Sequence, residues 1–365
     1  KLGRVCLAAS QNTQALLRKI YNTYIISKTI IAYEKNLSRS EPKVLLPGLA
    51  RLPVRIRRLA EKGESILNFR GRKYKARMTK IIIYSATFAF GFGLVSLWSF
   101  WLVTRPPEII SESTPETYGL NFDKIEITAP DGITLAGWLI PDAGRRQDAP
   151  AIIIFHGNGA DKSDMLSFAK VLHEKFAVLL MDLRYFGESD GKYSTLGFKE
   201  RGDASRAIDF LESRGFKKIG VFGFSLGGAI AIMTASEDSR VQAVAAYASH
   251  TDLRSIGRDT YKILGPLKYP LVELMILWAK LFIDENVLRD SPFESAQELN
   301  IPLLLAHSRE DDQIPFSHAE RLKDSLKNNP RAEFYFMERG LHGEVSSEFD
   351  NRVREFFEHT LLPRD

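Results

Sequence analysis

Cysteine is almost missing from this sequence: Cys6 is the only one among 365 residues. An intramolecular disulfide is therefore impossible, and thiol-rich metal sites are excluded with it. No His-x-x-x-His or Glu-x-x-His helix pattern offers another ligand set, so no metal and no cofactor is expected. The glycine-rich stretch at 223–228 carries no lysine, which removes phosphate cradling of the P-loop kind. Acidic residues are absent before Glu34, and charge of either sign is absent from 81–103. The net charge is only +5, and its basic excess is local rather than spread over a domain face, so nucleic acid is not an expected partner.

What is present is a chain that can fold. Hydrophobic residues make up 44% and charged residues 26%, enough apolar material for a real core. Residues 81–103 read IIIYSATFAFGFGLVSLWSFWLV, and as a helix would extend about 34 Å against a hydrocarbon core of about 30 Å. Trp98 and Trp101 stand near one end, where amphipathic rings favour the interface. A transmembrane helix is expected there. Between Arg51 and Lys80 stand eleven Lys or Arg against two Glu, whereas Arg105 is the only close cation beyond the run. The positive-inside rule then places the N-terminus in the cytoplasm and the rest of the chain, after this single pass, outside it. Residues 1–80 form a basic segment with no visible chemistry. They read either as a targeting presequence or as two surface helices, near 13–35 and 52–69.

Residues 104–120, with Arg105-Pro106-Pro107, read as a linker. From 121 to 365, short β-rich runs alternate with amphipathic helices. Strands are expected at 124–128, 135–140, 151–155, 178–182, 219–222, 241–246, 302–306 and 333–337. Several, such as IIIF and LLLA, are continuously apolar, as parallel strands buried on both faces are. Helices are expected at 162–175, 198–213, 226–236, 317–328 and 347–361. The fold class is α/β: a doubly wound, mostly parallel eight-stranded sheet opened by an antiparallel hairpin at Pro130-Asp131-Gly132.

The chemistry concentrates in three places. KKIGVFGFSLGGAIAIMTA is a buried strand, a Gly-x-Ser-x-Gly turn and a helix of small residues. That context describes a nucleophile elbow with Ser225 at its tip, rather than a serine capping an ordinary helix. Upstream, IIIFHGNGAD ends a strand in His156-Gly157-Asn158-Gly159. An oxyanion needs two N–H donors, expected from Leu226 and from Asn158 of this loop. His156 precedes the elbow and reads as a brace for the loop. Downstream, LLLAHSREDDQIPFS and ERGLHGE supply an acidic loop and then His342, in the order serine, acid, histidine. His342 is expected as the general base. Glu310, Asp311 and Asp312 are consecutive, and spacing alone does not choose among them.

Taken together, TAPDGITLAGWLIP at 128–141, FHGNG at 155–159, DLRYFGESDG at 182–191, GFSLGG at 223–228 and HSREDDQIP at 307–315 resemble a known family. From about Thr114 onward, the chain is similar to bacterial membrane-anchored α/β-hydrolases of the esterase and serine-aminopeptidase-like group. In that family's His-Gly-x-x-Asp-x-x-Val-Pro frame the catalytic acid lies four residues before the proline, which implies Asp311. Tyr185 stands where the family has the first glycine of Asp-x-Arg-Gly-x-Gly, and Ser308 replaces the glycine after His307. The resemblance also implies a short cap at about 250–299. Its apolar run at 270–282 reads as a helix packed on the catalytic domain, or as a lid over an acyl-chain pocket that dips into the bilayer, with Gly265 and Pro266 as a hinge. The expected activity is cleavage of a carboxylic ester or thioester, on a small-molecule or lipid acyl substrate, at a membrane. A serine aminopeptidase is the alternative within the class, and a catalytically silent membrane scaffold the alternative outside it.

Overall fold

A computed structural model describes residues 54–107, 111–144, 149–284 and 286–363, with side chains from Arg72 onward. Most of the basic segment, including the helix expected near 13–35, lies outside the described residues. The chain divides into two compact units, Lys1–Leu97 and Trp98–Asp365. The boundary therefore falls within the apolar helix rather than after it.

Helix α1, Val54–Thr104, runs unbroken through the expected span. It begins earlier than the apolar run because 54–80 has no proline and is rich in Arg and Lys, both good helix formers. Its Arg72–Thr104 stretch is long and apolar enough to cross a membrane, and only 11% of its most apolar window is buried. The helix that fills a soluble core has the opposite burial.

In the second unit the strands are β1 Asp123–Thr128, β2 Thr134–Ile140, β3 Ala151–Phe155, β4 Ala177–Met181, β5 Ile219–Phe224, β6 Val241–Tyr247, β7 Leu303–Ser308 and β8 Ala332–Met337. They form one sheet ordered β1-β2-β4-β3-β5-β6-β7-β8. Strand β2 is antiparallel to β1 and β4, and every other pairing is parallel. The β1–β2 hairpin turns at Pro130-Asp131-Gly132 as expected, with Gly132 at φ 86°.

The helices of this unit are α2 Leu166–Leu172, α3 Glu200–Ser213, α4 Leu226–Glu237, α5 Leu253–Thr260, α6 Lys268–Phe282, α7 Pro292–Glu298, α8 Ser317–Ser325 and α9 Ser347–Leu361. Alternate side chains of β3 explain the layering. Ile153 and Phe155 join one core with residues of α3, α4 and α8; Ile152 and Ile154 join another with residues of α2 and α9. The helix expected at 162–175 is split. Asp161 accepts the Ser163 N–H at 2.7 Å, and the Lys162 N–H goes to Asp182 at 2.8 Å, which tightens residues 162–165 into a 3₁₀ turn before α2.

The cap between β6 and β7 consists of α5, a 3₁₀ turn at Lys262–Leu267, α6 and α7, and Gly265 interrupts the helical run at φ 53°. The end of α1 is tied to this same unit. The Thr104 carbonyl accepts the Ser194 N–H at 2.8 Å, and the Pro106 carbonyl accepts the Tyr185 hydroxyl at 3.0 Å. Farther along the stretch read as a linker, the Ser111 N–H reaches the Asp161 carboxylate at 3.0 Å.

Candidate active site

Strand order places the site. Strand β3 has β4 on one side and β5 on the other, so the chain reverses direction across it and leaves a crevice at the carboxyl ends. The loops after β3 and β5 meet there, as a doubly wound sheet requires.

At the end of β5 the chain turns sharply into α4. Ser225 takes φ 56° and ψ −114°, which costs a residue with a side chain on the order of 1–3 kcal/mol. Two features hold it. The Ser225 N–H donates to the Tyr247 carbonyl at 2.8 Å. The turn is also too crowded to relax: a Cβ on Gly223 would lie 2.0 Å from the Gly227 carbonyl oxygen, and one on Gly227 would lie 2.3 Å from that of Phe155. Glycine is obligatory at both positions, and the serine is presented at the head of α4.

His342 lies in the loop after β8. Its Nε2 is 3.0 Å from Ser225 Oγ, and its Nδ1 is 2.8 Å from Asp311 Oδ2. A neutral ring satisfies both contacts when Nδ1–H donates to the carboxylate and Nε2 accepts from the hydroxyl. Asp311 Oδ1 accepts the N–H groups of Ile314 and Gln313, at 2.7 and 2.9 Å. Burial works to raise the affinity of Asp311 for a proton. The His342 hydrogen bond and charge, with the two backbone donors, outweigh it and hold the carboxyl below its ordinary range. Asp312 accepts the backbone N–H of His342 at 3.2 Å, so it touches the loop but not the ring. Glu310 is exposed. Of three consecutive acids, the fold brings one carboxylate to the imidazole.

The His156–Gly159 loop crosses the elbow. A Cβ on Gly157 would lie 3.1 Å from the Phe224 ring and 3.3 Å from Ser225 Cβ, so the peptide leading to Asn158 passes beside the serine. Asn158 itself is exposed, and Leu226 is buried as the first residue of α4. His156 braces the loop: Nε2 accepts the Leu183 N–H at 3.0 Å, and Nδ1 bonds the Gly157 carbonyl at 2.8 Å. Burial lowers its pKa, keeping it neutral for that task.

Sequence reasoning passed over several residues that shape the site. Phe224 fills the variable position of Gly-x-Ser-x-Gly, and its ring lies 4.8 Å from that of His342. Tyr247 donates to the Glu344 carbonyl at 2.8 Å, anchoring the histidine loop; burial, then the nearby Asp311 charge, keeps its phenol protonated. His307 is fully buried, bonds the Ile314 carbonyl through Nε2 at 2.9 Å, and so steadies the turn that carries Asp311. Phe224 and Tyr247 carry no signal of their own, and His307 opens the acidic-loop motif without its bracing role being legible there; each role is found only through what surrounds it. Among the described residues, no group of three or more His, Cys, Asp or Glu is arranged to hold a metal. A serine hydroxyl bonded to an imidazole, itself oriented by a buried carboxylate, is what general-base activation of a nucleophile requires.

Known proteins share this architecture. The α/β hydrolase fold family model matches residues 150–266. The uncharacterized protein YfhR of Escherichia coli is 30% identical over 217 residues, covering 57% of this chain and 69% of that protein. YfhR of Salmonella typhimurium is 30% identical over 240 residues, covering 64% and 79%. Among solved structures, an esterase of Pyrococcus furiosus superposes with a TM-score of 0.59 at 24% identity, over 71% of this chain and 98% of the esterase. An acylaminoacyl peptidase of Pyrococcus horikoshii superposes with 0.53 at 18%, over 67% and 42%. At such identities the superpositions speak for the fold. The chain belongs to the α/β hydrolase fold family.

Proposed function

We propose that this chain is a membrane-anchored serine hydrolase that cleaves a carboxylic ester or thioester through an acyl-enzyme on Ser225. The observation that carries this reading is the continuous contact from Ser225 Oγ to His342 Nε2 at 3.0 Å and from His342 Nδ1 to Asp311 at 2.8 Å, built on a strained elbow. His342 takes the Ser225 proton as Oγ bonds to the substrate carbonyl carbon. The oxyanion is met by the backbone N–H groups of Leu226 and Asn158, helped by the N-terminal end of α4. The carbon–oxygen or carbon–sulfur bond then breaks, and His342 returns the proton to the leaving group. Water, deprotonated by the same imidazole, attacks the acyl-enzyme; the acid leaves and Ser225 is regenerated. Asp311 keeps the ring in the productive tautomer throughout.

The anchor is the apolar part of α1, residues 81–103, with residues 1–80 on the cytoplasmic side and the hydrolase domain, 121–365 with its cap near 250–299, on the other. Labelling by a fluorophosphonate tests the chemistry. Wild type is expected to be modified at Ser225 and Ser225→Ala to remain unlabelled; a folded wild type that fails to react sinks the proposal. A chain-length series of p-nitrophenyl esters beside aminoacyl substrates separates esterase from aminopeptidase, and protease protection of sealed vesicles reads the orientation.

A further inference from the structure

Helix α6 is amphipathic in an unusual sense. Its inward side, Leu271, Val272, Ile276 and Ala279, is buried as expected of a cap helix. Its outward side is not polar. Leu277 is 44% exposed, Leu281 63% and Phe282 57%, and at the preceding turn Ile263 is 42% and Tyr269 50% exposed. A helix face in water at these positions is ordinarily charged. The one acid on this face, Glu273, is neutralised by Arg254 at 2.8 Å and Arg258 at 2.9 Å.

The same unit carries the last turns of α1. Phe100 stacks on Phe282 at 6.2 Å between centroids, and the Tyr193 hydroxyl donates to the Phe282 carbonyl at 3.4 Å. Trp98 and Trp101 stack on each other at 5.3 Å and are both largely exposed. Arg105 lies over the rings of Trp101 and Tyr193. The end of the apolar helix and the bare face of α6 are thus packed side by side. Lys262 and Lys280 are exposed beside that face, where long stems can lie along apolar surface while the ammonium stays among headgroups.

We propose that the Ile263, Tyr269, Leu277, Leu281 and Phe282 face, joined to Trp98 and Trp101, is seated in the lipid–water interface of the bilayer that α1 enters. The inference rests on the anchor reading above and adds to it a second, in-plane contact that lays the cap against the lipid surface. The occupant is lipid rather than another protein because the face is continuous with the end of the apolar helix, carries interfacial tryptophans, and is flanked by cations.

Full-length protein in a Cys6→Ser background, which has no other thiol, is labelled with nitrobenzoxadiazole at single cysteines and reconstituted into phosphatidylcholine–phosphatidylglycerol vesicles. The test positions are Leu277→Cys and Leu281→Cys. Phe90→Cys, within the apolar helix, and Lys217→Cys, before β5 at the opposite end of the sheet from the elbow, are the references. Lipids with a shallow doxyl group are expected to quench the Leu277 and Leu281 probes by about half, as interfacial depth requires, and to leave Lys217 unchanged. Quenching at Phe90 but not at Leu277 and Leu281 overturns the proposal and leaves the anchor standing. No quenching at any position overturns both. Probes at Leu277 and Leu281 that escape quenching, while the unlabelled single-cysteine proteins form disulfide-linked dimers when treated with an added oxidant, overturn it in favour of self-association.

Discussion

Helices α4 and α6 are both apolar in sequence, LGGAIAIMTASE and KYPLVELMILWAKLF, yet the fold treats them in opposite ways. Ten of the twelve residues of α4 are buried, against four of the fifteen in α6. The difference lies in their neighbours. Helix α4 runs from the end of β5 and lies against the sheet, where Gly223 and Gly227 allow near-contact of backbones. Helix α6 is inserted between β6 and β7 as part of the cap, with only one side covered. An apolar helix is therefore a core element in one place and an exposed element in the other. Composition does not distinguish them.

The sharpest way to separate the two is at the head of α4. Replacing Ser225 by alanine should lower kcat by roughly 10⁵–10⁶ while leaving the thermal transition near wild type, since the hydroxyl is not part of the core. No single alanine on the exposed face of α6 should do this to a soluble ester. Next in size, Asp311→Asn should lower kcat by about 10⁴, because an amide favours the wrong imidazole tautomer. Asp312→Asn removes only an acceptor for the His342 backbone N–H and should cost far less; equal losses would refute the assignment of the acid.

Stability is the next contrast. Ile230→Ala in α4 should destabilise the domain by about 2–5 kcal/mol in a denaturant titration, the usual effect of truncating a sealed side chain. Leu281→Ala, at an exposed position of α6, should stay within about 0.5 kcal/mol in detergent. A large loss at Leu281 would mean that its face is covered.

Acid offers a gentler probe of the cap base. Burial, then the nearby His318, holds His250 at about 4, against an ordinary imidazole near 6.5. Unfolding takes up a proton between those values, so this group's contribution is complete above about 6.5 and is lost as pH falls toward about 4, by about 3 kcal/mol at most. Asp164, which burial pushes up to about 6, has the opposite sign, because the folded state holds the proton through that window. Asp203, also pushed up to about 6 by burial, acts with Asp164, so the sign that can be read is the difference between variants: from about pH 7.5 to about pH 4.5, acid should lower the melting temperature less, or raise it more, in His250→Gln than in wild type. Smallest of all, Asn158→Ala should change kcat little if the backbone N–H is the donor; a loss of roughly 10²–10³ would assign the role to its side chain.

Much of the architecture was readable without coordinates. All eight strands lie within one or two residues of where the β-rich runs placed them; central strands such as β3, β4 and β7 are legible because strands buried on both faces are continuously apolar, whereas β1 shows the alternation of an edge strand. The elbow was legible because close strand–helix approach admits only glycine at two positions, and Ser225 stands between them. The 3₁₀ turn before α2 was not, since it depends on Lys162 meeting Asp182 from a different strand end. The parts played by Phe224 and Tyr247 were likewise invisible, and His307, though the first residue of the acidic-loop motif, gave no sign that it steadies the turn: such residues acquire a role only from the loop they happen to support.

Sequence by itself determined the order of the strands, the serine at its turn, the histidine in the last loop and the apolar run at 81–103, because each follows from local periodicity or local steric need. Spacing left Asp311 and Asp312 open and only the family frame pointed to Asp311; in the tertiary structure it is Asp311 whose carboxylate meets the imidazole, for adjacent carboxylates have equal chemistry and differ only in which way the turn aims them. The tertiary structure alone decided that α4 is core and α6 is surface. Burial is a property of what lies opposite, and a chain does not carry that in its own letters.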